Sequence, residues 1–272
     1  NKVSVTVMEI PAAGNTGILK MDSYNTILPG PDLYPENSKL SFECLYQQLR
    51  KKENRLYTDE EVARLPIIAT GHPYEQEWNI RKRSAQQLAR YIIRKKKTLE
   101  ILEVGCGNGW LSAKFAAIPF AFVTGIDVNN VEIEQAKRVF KEIKNLRFEY
   151  GCIGNNILQE QQFDMIVFAA SIQYFPSFKK IIQQALSLLR LNGEIHIIDS
   201  HFYKRNELEA ARLRSKEYFE SIGFPGMSRH YFHHCTDELK VFDSKILRSP
   251  GPIKKLFFKN DNPFYWVCIQ NL

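Results

Sequence analysis

Three glycines lie within five residues in the stretch LEILEVGCGNGWLSAKF (residues 99–115), between an apolar run and a helical pattern. Gly105, Gly107 and Gly109 allow a sharp turn, and they let a ligand lie against the main chain without meeting a Cβ atom. Glu103, two residues before the first glycine, adds a negative charge. An open backbone beside a carboxylate favours a ligand that carries positive charge.

The spacing of these glycines argues against a dinucleotide. A dinucleotide-binding turn needs G-x-G-x-x-G, which seats a pyrophosphate on the helix N-terminus. Here the third glycine comes one residue early, and Trp110 stands at the sixth position. An indole there would crowd both the phosphate and the packing of strand against helix, so a dehydrogenase is disfavoured.

Short apolar runs alternate with helical patterns on both sides of the turn, which predicts a parallel sheet covered by helices on both faces. Ligands of such sheets bind beyond the carboxyl ends of the strands, where the strand order reverses. Two strand-like segments near the end, at 239–247 and 263–270, are predicted to pair antiparallel at a sheet edge. The other predicted strands are 99–104, 121–126, 146–150, 163–168 and 194–198, and the helices are about 109–118, 131–144, 178–190 and 206–222.

A longer helix is predicted from Pro73 to about Lys96, because proline suits a first helical turn and apolar residues recur on one face. Arg81 falls on that same face as Trp78, and a buried arginine needs a carboxylate or a ligand. Residues 1–72 are punctuated by proline and glycine and are poor in apolar side chains.

The chain is therefore divided into an irregular N-terminal elaboration, residues 1–72, and a main domain, residues 73–272. Within the elaboration, Thr58 and Glu61 have the spacing of a capping box, which predicts a short helix. Three roles stay open for this elaboration: a cap over the pocket, a dimer contact or a partner site.

The pattern E-x-G-x-G-x-G resembles the first motif of class I S-adenosylmethionine (SAM)-dependent methyltransferases, and most closely their small-molecule, type 11-like group. The resemblance covers roughly residues 75–270. It implies a Rossmann-like, doubly wound, mostly parallel seven-stranded α/β sheet that ends in an antiparallel C-terminal hairpin. It also implies SAM as the cofactor.

The same resemblance implies roles for individual residues. Asp127, at the end of the second strand, would bridge the two ribose hydroxyls, and Val128 would pack against the adenine. Arg81 would lie near the carboxylate of the cofactor. The complete set of cofactor-binding residues that it implies is Arg81, Glu103, Gly105, Cys106, Gly107, Gly109, Asp127, Val128, Cys152, Ile153, Ala169 and Ser171.

The loop after the fourth strand bears on the methyl acceptor. Enzymes that methylate amino groups of nucleic-acid bases typically carry Asn/Asp-Pro-Pro-aromatic at this point, whereas this chain has AASIQY at 169–174. Base methylation is therefore disfavoured. Tyr174 and His201 are the candidate catalytic groups, because His201 follows the fifth strand and histidine titrates near neutral pH. An exposed loop histidine is the alternative reading of His201.

Substrate contacts are predicted at Trp78, Gln173, Tyr174, Arg212 and His233. Metal-dependent catechol methyltransferases take ligands from acidic residues after strands four and five, and no acid follows strand four here. We therefore expect no metal. The histidines of SRHYFHHC, which include His233, either border the substrate pocket or lie on the surface.

Composition narrows the partners. The net charge is +7, but the densest basic run, RKKK at 94–97, closes a predicted helix, where cations favour the helix dipole. Nucleic acid is therefore disfavoured, although an RNA or protein methyltransferase stays an alternative, as does a non-catalytic SAM-binding scaffold. The five cysteines are scattered without a CxxC pair, and no apolar stretch is long enough for a membrane span.

The favoured function is methyl transfer to an oxygen, nitrogen or carbon atom of a small molecule. We expect a cytoplasmic protein with no membrane contact, and leave open whether it forms a homodimer.

Overall fold

The structure is a computed structural model that describes residues 36–154, 158, 161–250 and 262–271. The helices of this part of the chain are α1 (Glu36–Lys52), α2 (Asp59–Arg64), α3 (Glu75–Arg94), α4 (Trp110–Ala116), α5 (Asn130–Val139), α6 (Phe178–Ser187) and α7 (Leu208–Ser221). The strands are β1 (Leu99–Val104), β2 (Ala121–Asp127), β3 (Leu146–Tyr150), β4 (Phe163–Ala169), β5 (Leu189–Ser200), β6 (Phe202–Tyr203), β7 (His234–Cys235), β8 (Ser244–Arg248) and β9 (Tyr265–Gln270).

The main sheet has seven strands in the order β3-β2-β1-β4-β5-β9-β8. Strands β1 to β5 are mutually parallel, whereas β9 runs antiparallel to both β5 and β8. The doubly wound sheet and its C-terminal hairpin are therefore confirmed. The strand order reverses between β1 and β4, so the loops that follow these two strands diverge there and leave a crevice.

Alternating side chains of the central strands feed two hydrophobic layers. Ile101 of β1 lies in the layer beneath α3 and α4, with Trp78, Leu88 and Phe115. Its neighbour Leu102 points the other way, into the layer beneath α6. Because both faces are covered, the strands are apolar almost throughout. This double burial holds the carboxyl ends of the strands in place.

Several element boundaries differ from the prediction. The strand predicted over 194–198 extends over Leu189–Ser200, and α6 ends at Ser187 instead of near residue 190. Helix α5 ends at Val139, whereas it was predicted to reach about residue 144. The next residue, Phe140, packs its ring near that of Phe148, with the ring centroids 6.2 Å apart. The short parallel pair of β6 and β7 was not predicted.

Part of the N-terminal elaboration is well organised. Helix α2 begins with the predicted capping box, in which Thr58 and Glu61 exchange hydrogen bonds of 2.7 and 3.3 Å. Helix α1 was not predicted, and its Leu49 is buried against Phe219 of α7 and Met227. Residues 1–35 of the elaboration lie outside the described residues. Every helix in the described ranges is too short or too polar to cross a lipid bilayer.

Candidate active site

A large cavity lies at the carboxyl ends of β1, β2 and β4, with an empty volume of about 1410 Å³ that is partly open to solvent. Helices α1 and α3 close it from the opposite side. Most residues that the resemblance assigned to the cofactor meet in its wall: Arg81, Glu103, Gly105, Cys106, Gly107, Asp127, Val128, Cys152, Ala169 and Ser171.

The glycine turn, residues 105–109, serves two purposes. Gly107 has φ +52° and lines the cavity, and a Cβ atom there would make ordinary contact, at 3.5 Å, with the Glu132 carboxylate. Gly109 has φ +75°, and its Cβ would lie 2.4 Å from the Phe148 ring. Gly109 therefore permits helix–strand packing and lies outside the cavity wall. The predicted Ile153 is likewise a core residue, 5% exposed.

Asp127 is held at the end of β2 by the backbone around it. Its two carboxylate oxygens accept hydrogen bonds from the N–H groups of Gly107 and Asn129, each at 2.8 Å. Burial nevertheless raises the pKa of Asp127. The carboxylate lines the cavity beside the open backbone of Gly107, where hydroxyl groups of a ligand could donate to it.

Two further carboxylates stand near the glycine turn. Glu103 is 2% exposed and accepts a 2.5 Å hydrogen bond from the Ser112 hydroxyl, and burial raises its pKa to about 8. Glu132 accepts from the Asn129 side chain at 3.0 Å. Burial, and then the charge of Asp127, raise the pKa of Glu132 to about 7. This part of the cavity therefore suits a cation.

Helix α1 supplies a wall that the sequence analysis missed. Glu43 accepts a hydrogen bond from the Asn130 N–H at 2.8 Å, and the Gln47 amide donates to Asn129 at 3.0 Å. These bonds tie α1 to the loop directly after Asp127. The helical spacing of Phe42, Leu45 and Leu49 was the available signal, but no tertiary partner could be read from it. The wall residues from α1 are Phe42, Glu43, Tyr46 and Arg50.

Arg81 belongs to an arginine–glutamate network formed by Arg50, Glu53, Arg55, Glu77 and Arg81. Glu77 pairs with both Arg55, at 2.6 Å, and Arg81, at 2.9 Å. Burial opposes ionisation of Glu77, but the two arginines outweigh it and lower its pKa to about 2. Arg50 pairs with Glu53 at 3.1 Å. With three cations and two anions, the network has room for one more negative group.

Aromatic rings line the end of the cavity near the β4 loop. The Tyr174 ring lies 5.8 Å from Phe42 and 5.7 Å from Tyr46, between centroids. Trp78 donates a 2.8 Å hydrogen bond to the Tyr57 hydroxyl and packs edge-on against Trp110. Two of the predicted substrate contacts, Trp78 and Tyr174, therefore share one cavity.

The third, Gln173, faces its own loop. Its amide nitrogen donates to the Ala170 carbonyl at 2.6 Å, and its side-chain oxygen accepts from Ser200 at 3.1 Å. Gln173 therefore braces the β4 loop against the end of β5 and does not line the cavity.

His201 lies outside the cavity wall, where its ring packs edge-on against Phe264 at 4.6 Å. Asp199, in contrast, lines the cavity and accepts a 2.5 Å hydrogen bond from Ser84, which itself accepts from Asn262. Burial raises the pKa of Asp199 to about 6. Asp199, two residues before His201, is thus directed at the cavity from the end of β5.

Arg212 and His233 meet in a second cavity, beside α7. Arg212 is exposed and pairs with Glu209 at 2.6 Å, while His233 is buried and contacts the Ser215 hydroxyl at 2.9 Å. Burial lowers the pKa of His233 to about 4. Tyr231 lines this second cavity and packs edge-on against Tyr174, so an aromatic partition separates it from the main one.

One buried group of potential metal ligands occurs among the described residues, namely Glu194, His196 and Cys268. Trp266 donates a hydrogen bond to Nδ1 of His196 at 3.0 Å, so in the neutral ring the proton is on Nε2. That proton is directed at Glu194, 3.2 Å away, and Lys95 balances the carboxylate at 2.7 Å. The group is therefore a satisfied hydrogen-bond network, which does not suit a metal ion.

Comparison with known proteins places the chain in a family. The family model described as "Methyltransferase domain" matches residues 95–240, more than half of the chain. The chain belongs to this family, and with its fold it is a class I SAM-dependent methyltransferase, as the sequence resemblance implied. Its cofactor is SAM.

Two curated relatives illustrate the range of the similarity. A malonyl-[acyl-carrier protein] O-methyltransferase of Halalkalibacterium halodurans is 22% identical over 74% of this chain and 80% of its own length. A ubiquinone biosynthesis O-methyltransferase of Coxiella burnetii is 32% identical over 36% of this chain and 42% of its own length. The chain spans 46% to 59% of the length of three further malonyl-[acyl-carrier protein] O-methyltransferases.

A solved structure shows the same fold. Magnesium protoporphyrin IX methyltransferase from Synechocystis PCC 6803 superposes on this chain with a TM-score of 0.56. Its structure was determined with bound S-adenosylhomocysteine (SAH), the demethylated product of SAM. It is 15% identical and covers 85% of this chain and 96% of its own. This likeness supports the architecture alone.

Proposed function

We propose that the main cavity binds SAM and passes its methyl group to an oxygen, nitrogen or carbon atom of a small molecule that enters beside Tyr174. One observation carries the proposal: the open Gly107 backbone, the Asp127 carboxylate and an aromatic chamber line one continuous space. Because both sets of residues line the same space, we expect a cofactor and an acceptor to bind side by side in it.

The residues of the β1 and β2 ends would hold the cofactor. Asp127 would accept hydrogen bonds from the ribose hydroxyls, and Val128 and Cys152 would contact the adenine. Arg81 would bind the amino-acid carboxylate, since its network carries one unmatched positive charge. The sulfonium, when bound, supplies an electrophilic methyl carbon and a good leaving group.

The acceptor end needs alignment and exclusion of water more than strong acid–base chemistry. Phe42, Tyr46 and Tyr174 would exclude water and orient a flat or apolar acceptor. Asp199 is the group that we propose for any proton removed from the acceptor, in place of His201. The Ala170 N–H donates to Ile198 at 3.0 Å, which places Asp199 next to the β4 loop.

The curated relatives are named for O-methylation, which favours an oxygen acceptor. We also propose that residues 1–72 cap the methyltransferase domain of residues 73–272, because α1 and Tyr57 contribute to the cavity wall. The scattered cysteines without a CxxC pair favour a reducing, cytoplasmic location.

The test is turnover, measured as SAH release from SAM with panels of small carboxylic acids, phenols and amines, and with RNA. We expect SAH release with at least one small acceptor and a drop of about 100-fold or more in Asp127→Asn. Glu142→Gln is the matched control, since it removes a carboxylate whose side chain is 88% exposed. Turnover confined to RNA would contradict a small-molecule acceptor.

A further inference from the structure

Three acidic side chains surround the glycine turn and line the cavity: Glu103, which is buried, and Asp127 and Glu132, which are half-buried. They are here called the carboxylate cluster. None of the ion pairs found among the described residues involves any of the three. The arginines of the cavity are instead engaged with Glu53 and Glu77 in the arginine–glutamate network. The cavity is thus electrostatically divided, with unpaired carboxylates on one side and compensated cations on the other.

The geometry directs the cluster toward the backbone that a ligand would touch. Asp127 accepts from the Gly107 N–H at 2.8 Å, and the Glu132 carboxylate lies 3.5 Å from the position of a Cβ on Gly107. Glu103 ends β1 on the other side of the turn, anchored by Ser112 of α4. Its hydrogen bond and those of Glu132 come from neutral donors, which do not cancel a charge.

The surroundings explain the titration of these groups. Burial raises the pKa of Glu103 to about 8 and that of Glu132 to about 7, and it also raises the pKa of Asp127. The charged and titratable groups that face the cluster are Glu43, Tyr46 and Arg50 of α1, Arg81 of α3 and the Cys106 thiol of the glycine turn. The arginines act from a distance and only partly offset burial, so at neutral pH the cluster retains protons before a ligand binds.

We propose that the carboxylate cluster couples binding of the positively charged sulfonium cofactor to proton release, so that the preference for SAM over its demethylated product rises with pH. This inference rests on the proposed function of the cavity. SAM and SAH differ only by the methyl group and the positive charge of the sulfonium that carries it. A comparison of the two ligands therefore isolates the contribution of that charge to binding. A cation near the cluster favours the ionised carboxylates and expels their protons.

The coupling also has a consequence for turnover. Methyl transfer turns the sulfonium into a neutral thioether within the same cavity. The cluster then recovers protons from solvent, and the electrostatic attraction that held the cofactor is lost. Release of the product is therefore favoured over release of the substrate cofactor, most strongly at alkaline pH.

The test is calorimetric titration of the full chain with SAM and with SAH at pH 6, 7 and 8, each in phosphate and in an amine buffer of matching pKa (bis-Tris at pH 6 and 7, Tris at pH 8). Heats in two buffers of different ionisation enthalpy give the number of protons released. We expect SAM to release about 0.25–0.5 proton more than SAH on average over this range, and the SAM-to-SAH affinity ratio correspondingly to rise about three- to tenfold from pH 6 to pH 8.

The α-amino group of both ligands titrates in the same range, so variants of the protein are needed. Glu103→Gln and Glu132→Gln each remove one proton site and should reduce both the extra proton release and the pH dependence of the ratio. Glu132→Gln keeps the test available if the more deeply buried Glu103 does not tolerate replacement. Glu142→Gln, at an exposed position, should leave both quantities unchanged.

The two proposals fail in different ways. Equal proton release by SAM and SAH, with a ratio that does not change with pH, would overturn the coupling and leave the cofactor site standing. A pH-dependent ratio that persists in both Glu→Gln variants would also overturn it, by assigning the effect to the ligands. Binding of neither ligand would overturn the proposed function itself.

Discussion

Gly107 and Gly109 both have a left-handed backbone but face different neighbours. The missing side chain of Gly107 leaves the main chain open to the cavity, whereas that of Gly109 leaves room for Phe148 and Ala136. At the scale of the residue, one motif thus combines a ligand contact with a packing requirement. The two can be separated by mutation.

Gly109→Ala should lower the free energy of unfolding by about 2–4 kcal/mol, because its Cβ would overlap the Phe148 ring in addition to the strain at positive φ. Gly107→Ala should cost only about 1–2 kcal/mol, from backbone strain, and should mainly weaken SAM binding. Urea denaturation measures the first effect, and calorimetry the second. Equal losses of stability in the two variants would contradict this division of roles.

At the scale of the element, α1 shows what the sequence concealed. Its apolar residues Phe42, Leu45 and Leu49 have helical spacing, but they follow a segment rich in proline and glycine. The helix has a function only through partners far along the chain, such as Asn129 and Phe219. Local pattern does not encode such contacts, so the wall that α1 contributes was not predicted.

The α1 wall should control how fast the cofactor leaves. The double variant Glu43→Gln, Gln47→Leu weakens or removes two hydrogen bonds to the Asn129–Asn130 loop, and should raise the SAH dissociation rate about tenfold. Trp78 and Trp110 line the cavity, so stopped-flow tryptophan fluorescence reports the rate. Gln48→Ala, at an exposed position of α1, is the control. An unchanged rate in the double variant would show that α1 does not retain the cofactor.

The arginine–glutamate network was also predictable only in part. Arg81 on an apolar helix face indicated that a carboxylate or a ligand was needed, and Glu77, four residues earlier, is that carboxylate. The remaining members, Arg50, Glu53 and Arg55, lie in the elaboration, and no spacing rule joins them to α3. Sequence reasoning identified the need for a partner but not the full network.

At the scale of the whole molecule, the parts nearest the sheet were the most predictable. The strand 99–104 was predicted at the bounds that the structure has, because a buried parallel strand is a continuous apolar run between turn residues. The edge strand 146–150 was also predicted at its bounds, although only Phe148 of it is buried. The glycine turn could be predicted because it joins one strand to one helix. Asp127 could be named because the resemblance to class I methyltransferases implies an acidic residue at the end of the second strand. The aromatic end of the cavity near the β4 loop was less predictable from the sequence, because residues of α1, α3 and the β4 loop form it together.

The molecule as a whole thus places one cavity at the switch point of its sheet, with the glycine turn on one side and an N-terminal helix on the other. His201 shows the limit of this reasoning. It follows β5, at the edge of the sheet where the cavity lies, but its ring packs against Phe264. The side chain that lines the cavity at this point is Asp199. Side-chain direction at a strand end depends on backbone angles, here φ +54° at Asp199, that the sequence does not reveal.

The most direct measurement of the central claim is calorimetric titration of the intact chain and of Asp127→Ala with SAM and SAH. We expect one-to-one binding of both ligands to the unmodified chain. The affinities of the variant should be at least about 30-fold weaker, because two charge-assisted hydrogen bonds to the ribose are lost. Unchanged affinity in Asp127→Ala would contradict the assignment of this cavity as the cofactor site.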